Sequence, residues 1–256
     1  MNVELLLELW ALLIGLVVGS FLNVVIVRLP AGASLIRPGS TCPGCSTAIR
    51  WFDNIPVLSY LLLRGRCRAC GERISPRYPA IEMLTGLLFL ACAARYGLSA
   101  EAAAAALFCS LMVVLGAIDI EHFILPDILT LPGILVGLAL QPWLPGSLLD
   151  AITGALMGAG LLILVINVWF WLRDEEGMGL GDVNMLALIG AFLGWQGMLG
   201  AFFFATLVGA AAGIVMVLTK RLAMGSRLPF GLFLALGGLA ALFARDGWIV
   251  PYLQGP

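Results

Sequence analysis

Three groups of residues in this chain have types and spacings that do chemistry. Cys42-Pro43-Gly44-Cys45 and Cys67-Arg68-Ala69-Cys70 are two C-x-x-C pairs with 21 residues between them. Each pair brings two thiolates to one ion, and two pairs complete a closed tetrahedral shell. Four sulfur ligands leave no position for water, so the expected metal is a structural Zn2+; disulfides are the competing reading. The second group is Gly116-Ala117-Ile118-Asp119-Ile120-Glu121-His122, running on to Leu125-Pro126-Asp127. The third is Gly177-Met178-Gly179-Leu180-Gly181-Asp182-Val183-Asn184. Two carboxylates facing each other at similar depth share one proton, so one works as general base on water and the other as general acid on a carbonyl. Capping is the plainer reading for Asp182, which follows glycines and opens a helix, and for Asp127, which follows Pro126. Asp119 ends a helix, where the dipole disfavours an anion, so a structural reason for it is lacking. The same dipoles lead to the expectation that Asp182 carries the charge and Asp119 the shared proton. The glycines before Asp182 are expected to turn the backbone tightly and leave room for an extended peptide. Glu121 and His122 read as wetted interface residues, Glu82 as the partner of a loop arginine, and Cys92 and Cys109 as apolar packing.

The elements that position these groups follow from composition. Hydrophobic residues make up 61% of the 256 and charged residues 11%, with a mean hydropathy of +1.05. A soluble domain is nearer half apolar and a quarter charged. The net charge of −1 gives no reason to expect nucleic acid. With a spanning helix needing about 20 apolar residues, candidate spans fall at roughly 5–27, 79–95, 101–118, 128–147, 149–172, 183–198, 199–219 and 229–247. The expected fold is therefore an all-α polytopic membrane protein of about eight transmembrane helices. The first span lacks a basic n-region and is too long for a cleavable signal peptide. Small-residue pairs four apart, Gly15 with Gly19, Gly154 with Gly158 and Gly209 with Gly213, read as helix contacts.

Arg28, Arg37, Arg50, Arg64, Arg66, Arg68, Arg73 and Arg77 lie between the first two spans, against only Asp53 and Glu72. Positive charge marks the cytoplasmic side, so this loop is inside and both termini are outside. The same count puts Arg173, Lys220, Arg221 and Arg227 inside, leaving only Arg95 and Arg245 outside. The expected organisation is a first transmembrane helix at 1–28, a cytoplasmic zinc-binding loop domain at 29–78 and a transmembrane core at 79–256. A polar loop of this size buries little core, so the metal is expected to fold it.

Taken together these residues resemble the type IV prepilin peptidase family. The likeness runs from Gly19-Ser20-Phe21-Leu22-Asn23-Val24-Val25 and Arg28-Leu29-Pro30 through the cysteine pairs to Ile74-Ser75-Pro76-Arg77-Tyr78-Pro79 with Glu82. It continues through the Asp119 segment, Leu129-Thr130-Leu131-Pro132, the G-x-G-D block ending at Asp182, and Pro229-Phe230-Gly231. The resemblance implies an aspartic protease of the bacterial inner membrane that cuts prepilins or pseudopilins after the glycine ending a short basic leader. Asp119 and Asp182 match its catalytic pair, and Asp127 does not. It also implies methylation of the new N-terminus with S-adenosylmethionine as methyl donor, an activity associated with the four-cysteine branch. Membrane lipid is a further expected partner, and the oligomeric state stays open. The rival readings are a monofunctional peptidase, a zinc-stabilised membrane adaptor whose acids are caps, and a proton-coupled transporter. The last expects acids near mid-span, whereas these cluster at one rim.

Overall fold

The computed structural model describes residues 3–173, 179–219 and 228–244. Eight helices carry them: α1 (Val3–Arg28), α2 (Leu58–Leu62), α3 (Arg77–Tyr96), α4 (Ala100–His122), α5 (Asp127–Ala139), α6 (Leu148–Arg173), α7 (Leu180–Leu218) and α8 (Phe230–Ala244). Among the described residues the only β pairing is two isolated bridges, Thr41 to Ala48 and Arg66 to Arg73. Helices α1, α3, α4, α6 and α7 are long and apolar enough to cross a membrane, and α5 and α8 are shorter apolar helices. Gly194 leaves the helical region inside α7 (φ 71°, ψ 179°), so this element is two helices end to end and the apolar segments number eight. The break falls before the joint expected at 198/199. Hydropathy is continuous through this stretch and cannot locate it, whereas a positive φ is open to glycine. Large apolar side chains such as Trp10, Leu156 and Phe203 face outward from the spans. Lipid is the solvent that suits them, and the chain is an all-α, multi-pass membrane protein.

Contacts divide the chain into two compact units, Met1–Val114 and Leu115–Pro256, with the boundary inside α4. In the first unit α1 lies along α3. A Cβ on Gly15 would meet Gly86 Cα at 2.8 Å, and one on Gly19 would meet Glu82 Cα at 2.7 Å. The buried Asn23 amide donates to the Tyr78 carbonyl (3.1 Å) at the start of α3. Glu82 does not take the loop arginine expected of it. Its Oε2 accepts the Val57 N–H at 2.7 Å, which pins the loop to α3 through its backbone. Arg28 gathers the chain after α1 by donating to the carbonyls of Ser34, Pro38 and Gly39. Cys92 and Cys109 are buried free thiols 3.9 Å apart.

In the second unit α7 packs against α5, α6 and α8. Lipid supplies no hydrophobic drive between helices, so close backbone approach has to hold them. Gly154 and Gly158 supply it. A Cβ on Gly158 would lie 2.8 Å from the Leu186 carbonyl oxygen, and one on Gly154 would lie 2.7 Å from that of Gly190. The break at Gly194 interrupts the helical bonding around Ala191, whose carbonyl accepts the amide of buried Gln141 (2.9 Å). Gly209 and Gly213 likewise face Phe233 and Leu228. Gly158→Leu should therefore force α6 from α7 and cost about 1–3 kcal/mol. Gly160→Leu has nothing within 4 Å of its Cβ and should be tolerated. Thermal unfolding of the two variants in detergent separates packing from helix propensity, which both changes raise equally.

Candidate functional site

The two C-x-x-C segments fold as one turn used twice. In the first, the Cys42 N–H donates to the Thr47 carbonyl (3.0 Å) and the Ser46 N–H to the Cys42 carbonyl (2.8 Å). In the second, the Cys67 N–H donates to the Glu72 carbonyl (2.8 Å) and the Gly71 N–H to the Cys67 carbonyl (2.9 Å). The residue after the second cysteine is left-handed in both, Ser46 at φ 56° and Gly71 at φ 74°. An isolated bridge closes each turn from outside. All four Sγ atoms lie within 4.8 Å of one another, with Cys42 and Cys70 3.8 Å apart. Metal–sulfur bonds of about 2.3 Å in a tetrahedron put sulfurs about 3.8 Å apart, so the cluster fits a tetrahedral metal ion. The Thr47 hydroxyl, 3.3 Å from Cys45 Sγ, and the Thr47 backbone hold that thiol down at about 6. Arg68, inside the second turn, grips Asp53 with two nitrogens (Nε 2.9 Å, Nη2 2.7 Å). That guanidinium holds the Asp53 carboxyl below the usual carboxylate range and ties the turn to the short 3-10 helix Trp51–Asn54.

Asp119 lies in the last turn of α4 and is 5% exposed. The helix ends on Phe123, left-handed at φ 54°, whose N–H donates to the Asp119 carbonyl (3.0 Å). The Asp119 side chain reaches α8, where Oδ2 accepts the Leu232 N–H at 3.0 Å. Leu232 is in the first turn of α8. Asp119 therefore faces the positive end of a second helix, and the premise for leaving the shared proton on Asp119 falls away. Gly231 is what allows the approach, since a Cβ there would sit 2.9 Å from Oδ2. No role for Pro229-Phe230-Gly231 was legible in the sequence, although the motif itself was.

Asp182 is the third residue of α7. The N-cap position is held by Gly179, so Asp182 is not the N-cap residue itself; its carboxylate reaches back from the third helical position to the Gly179 backbone, which keeps a capping role beside its place opposite Asp119. Its carboxylate is close enough to Asp119 to feel that group's charge. The structure thus brings together the two aspartates that the sequence singles out. Asp127 is not an N-cap either. It begins α5, after Pro126, and its Oδ1 accepts the Asn184 amide (2.9 Å), joining the starts of α5 and α7. Gly179 is in ordinary extended backbone (φ −83°), and Gly181 is a helical residue, so neither makes a glycine-only turn. Gly181 instead makes room for Leu125, whose Cβ would be 2.8 Å from an added Cβ. A Cβ at Gly179 would be in ordinary contact with its own helix start, 3.9 Å from the Gly181 nitrogen and 4.0 Å from Asp182 Oδ2. Gly177, Met178 and the acids Asp174, Glu175 and Glu176 lie outside the described residues, as do Lys220, Arg221, Arg227 and Arg245. Glu121 and His122 are partly exposed at the end of α4, with Oε2 and Nε2 4.0 Å apart.

The paired cysteine turns give a clean test of the metal reading. Nothing lies within 4 Å of a Cβ on Gly71, so Gly71→Ala adds only left-handed backbone strain, about 1–2 kcal/mol. The variant should lose its metal to a chelator more readily than wild type, and a Gly39→Ala control, also with nothing within 4 Å and at no positive φ, should not.

Comparison with known proteins identifies the family. The bacterial peptidase A24 N-terminal domain matches residues 13–96, and the type IV leader peptidase family matches residues 106–214. A prepilin leader peptidase/N-methyltransferase of Myxococcus xanthus (strain DK1622) is 47% identical over 206 residues, covering 80% of this chain. The chain spans only 62% of that relative's length. Proteins of the same name from Burkholderia pseudomallei (strain 1026b) and Stutzerimonas stutzeri are 41% and 40% identical, covering 91% and 95% of this chain and 84% and 93% of theirs. No solved structure matches the chain. Two successive family matches, and relatives at 40% identity or more that are covered over most of both chains, establish that the chain belongs to the type IV leader peptidase family.

Proposed function

We propose that this protein is an intramembrane aspartic endopeptidase that removes the short basic leader of a type IV prepilin or pseudopilin after a glycine, and that it then methylates the new N-terminus. The observation that carries the first activity is the meeting of Asp119 from α4 with Asp182 from α7. In this reading one carboxylate takes a proton from water as the oxygen attacks the scissile carbonyl, and its protonated partner gives a proton to the carbonyl oxygen. Collapse of the tetrahedral intermediate breaks the C–N bond and the leaving amine takes a proton. The Leu232 N–H aims the Asp119 carboxyl. The substrate's apolar helix rests among the spans, with its basic leader in the cytoplasm and the cleavage point level with both acids.

Cys42, Cys45, Cys67 and Cys70 are read as a structural Zn2+ site that closes a cytoplasmic loop domain at 29–78, between a first transmembrane helix at 1–28 and a peptidase core at 79–256. When bound, S-adenosylmethionine supplies an electrophilic methyl group for the second activity, to which no residue here is assigned. The charge bias places the loop inside and both termini outside the bacterial inner membrane.

Cleavage of a purified prepilin by reconstituted enzyme at equal folded amounts tests the pair. Asp119→Asn and Asp182→Asn should each lose on the order of 10³-fold or more in rate. Asp127→Asn, whose amide oxygen can still accept from Asn184, should stay largely active. Full cleavage by either of the first two variants would sink the mechanism. Gly231→Ala pushes a methyl group onto the Asp119 carboxyl and should lower kcat about tenfold to a hundredfold with little change in KM. An unchanged kcat would mean that the Leu232 bond does not position the acid.

A further inference from the structure

The cysteine-bearing loop also holds a pocket of about 540 Å³ that neither the metal shell nor the aspartates use. Tyr60, Arg64, Arg66, Arg73, Ser75 and Pro76 contribute to its wall. The chain leaves α2 through Arg64 and Gly65, both left-handed at φ 52° and 66°. Gly65 lies so close to Tyr60 that a Cβ would sit 2.9 Å from the phenol oxygen. Arg66 and Arg73 then face each other across the bridge that closes the second cysteine turn. Like charges directly opposite in such a pair repel. Among the described residues none of the three arginines has an ion-pair partner. Of the two acids in the loop, Asp53 is held by Arg68, and Glu72 lies against the cysteines, its Oε2 4.0 Å from Cys42 Sγ. Three guanidiniums around one concavity without a carboxylate are a site for an anion with several oxygens, which their forked donors match.

Two further observations say where that anion comes from. Ser75 and Pro76 run directly into α3, a membrane-crossing helix that starts at Arg77. The pocket wall therefore stands where that helix leaves the bilayer, at headgroup depth. On the other side, α2 exposes Leu58, Leu61 and Leu62, the last at 73%. Apolar side chains on a short helix that feeds straight into arginines match an element lying in the membrane interface. We propose that this pocket binds the phosphate of an anionic phospholipid headgroup, with Leu58, Leu61 and Leu62 seated in the adjoining acyl boundary. The proposal stands apart from the catalytic reading, since no aspartate takes part in it.

Native mass spectrometry of the full-length protein in detergent, titrated with phosphatidylglycerol or phosphatidylcholine, provides the test. Phosphatidylglycerol should bind more tightly, and Arg66→Gln/Arg73→Gln should weaken it at least tenfold. Arg37→Gln/Arg50→Gln removes the same charge from elsewhere in the loop and should change little. Retained zinc reports that the pocket variant is folded. If the variant loses its metal, Leu61→Gln/Leu62→Gln, which leaves the cysteine turns alone, takes its place and should weaken lipid binding severalfold. Equal loss in the two arginine pairs would mean diffuse attraction and overturn the site, as would equal affinity for phosphatidylcholine. Displacement of the lipid by millimolar inorganic phosphate or by S-adenosylmethionine would show a soluble ligand's pocket instead and overturn the headgroup assignment.

Discussion

A polar group buried in a membrane bundle has no water to fall back on, so it must find its partner within the chain. That constraint shapes this protein at four points where elements distant in sequence are joined. Asp119 finds the Leu232 N–H on α8, Glu82 finds the Val57 N–H in the loop, and Gln141 finds the Ala191 carbonyl beside the break in α7. Asn23 joins α1 to the start of α3 in the same way. In each case one partner is a backbone group. The bonds depend on where helices begin, end or break, and less on which side chains they carry.

Close approach is the second requirement, because lipid rewards contact between helices only through packing. Gly154 and Gly158 let α6 reach the backbone of α7, and Gly15 and Gly19 let α1 reach α3. The same device operates at the carboxylates. Gly181 admits Leu125 and Gly231 admits the Asp119 carboxyl and Leu125, so the start of α7 and the start of α8 both close on the end of α4 and its connection to α5. The Asp127 bond to Asn184 completes this clamp. Asp127, a second acid at the same rim, thus serves to hold the starts of two helices together.

The cysteine loop solves a different problem. It has few buried side chains, and its order comes from short-range bonds: paired turns, the Arg28 donors on three carbonyls, and Arg68 on Asp53. A metal ion on the four thiols would add what a small polar loop lacks, since metal binding at this size is folding energy. Its geometry was readable in advance because a C-x-x-C turn is local. Four sulfurs in two such turns need only one long-range meeting to form the shell.

Hydropathy alone determined that the chain is an all-helical membrane protein with eight apolar segments, because the bilayer sets a length and a composition that a linear count detects. Residue type and spacing also sufficed to single out the four cysteines and, together with the family resemblance, the two aspartates. They did not reveal what surrounds them. Dipole reasoning from the sequence placed Asp119 at one helix end, whereas the fold sets it against the start of another. Gly181, read as a turn-maker, is instead a position where Leu125 comes close, and Asp182 is the third helical residue while Gly179 takes the cap position. The break at Gly194 and the partner of Glu82 were equally hidden. The partners of Asp119 and Glu82 are backbone groups brought in from another part of the chain, and every residue carries the same backbone. Side-chain spacing therefore had no signal for them, and only the packing of the helices decided which N–H or carbonyl would arrive.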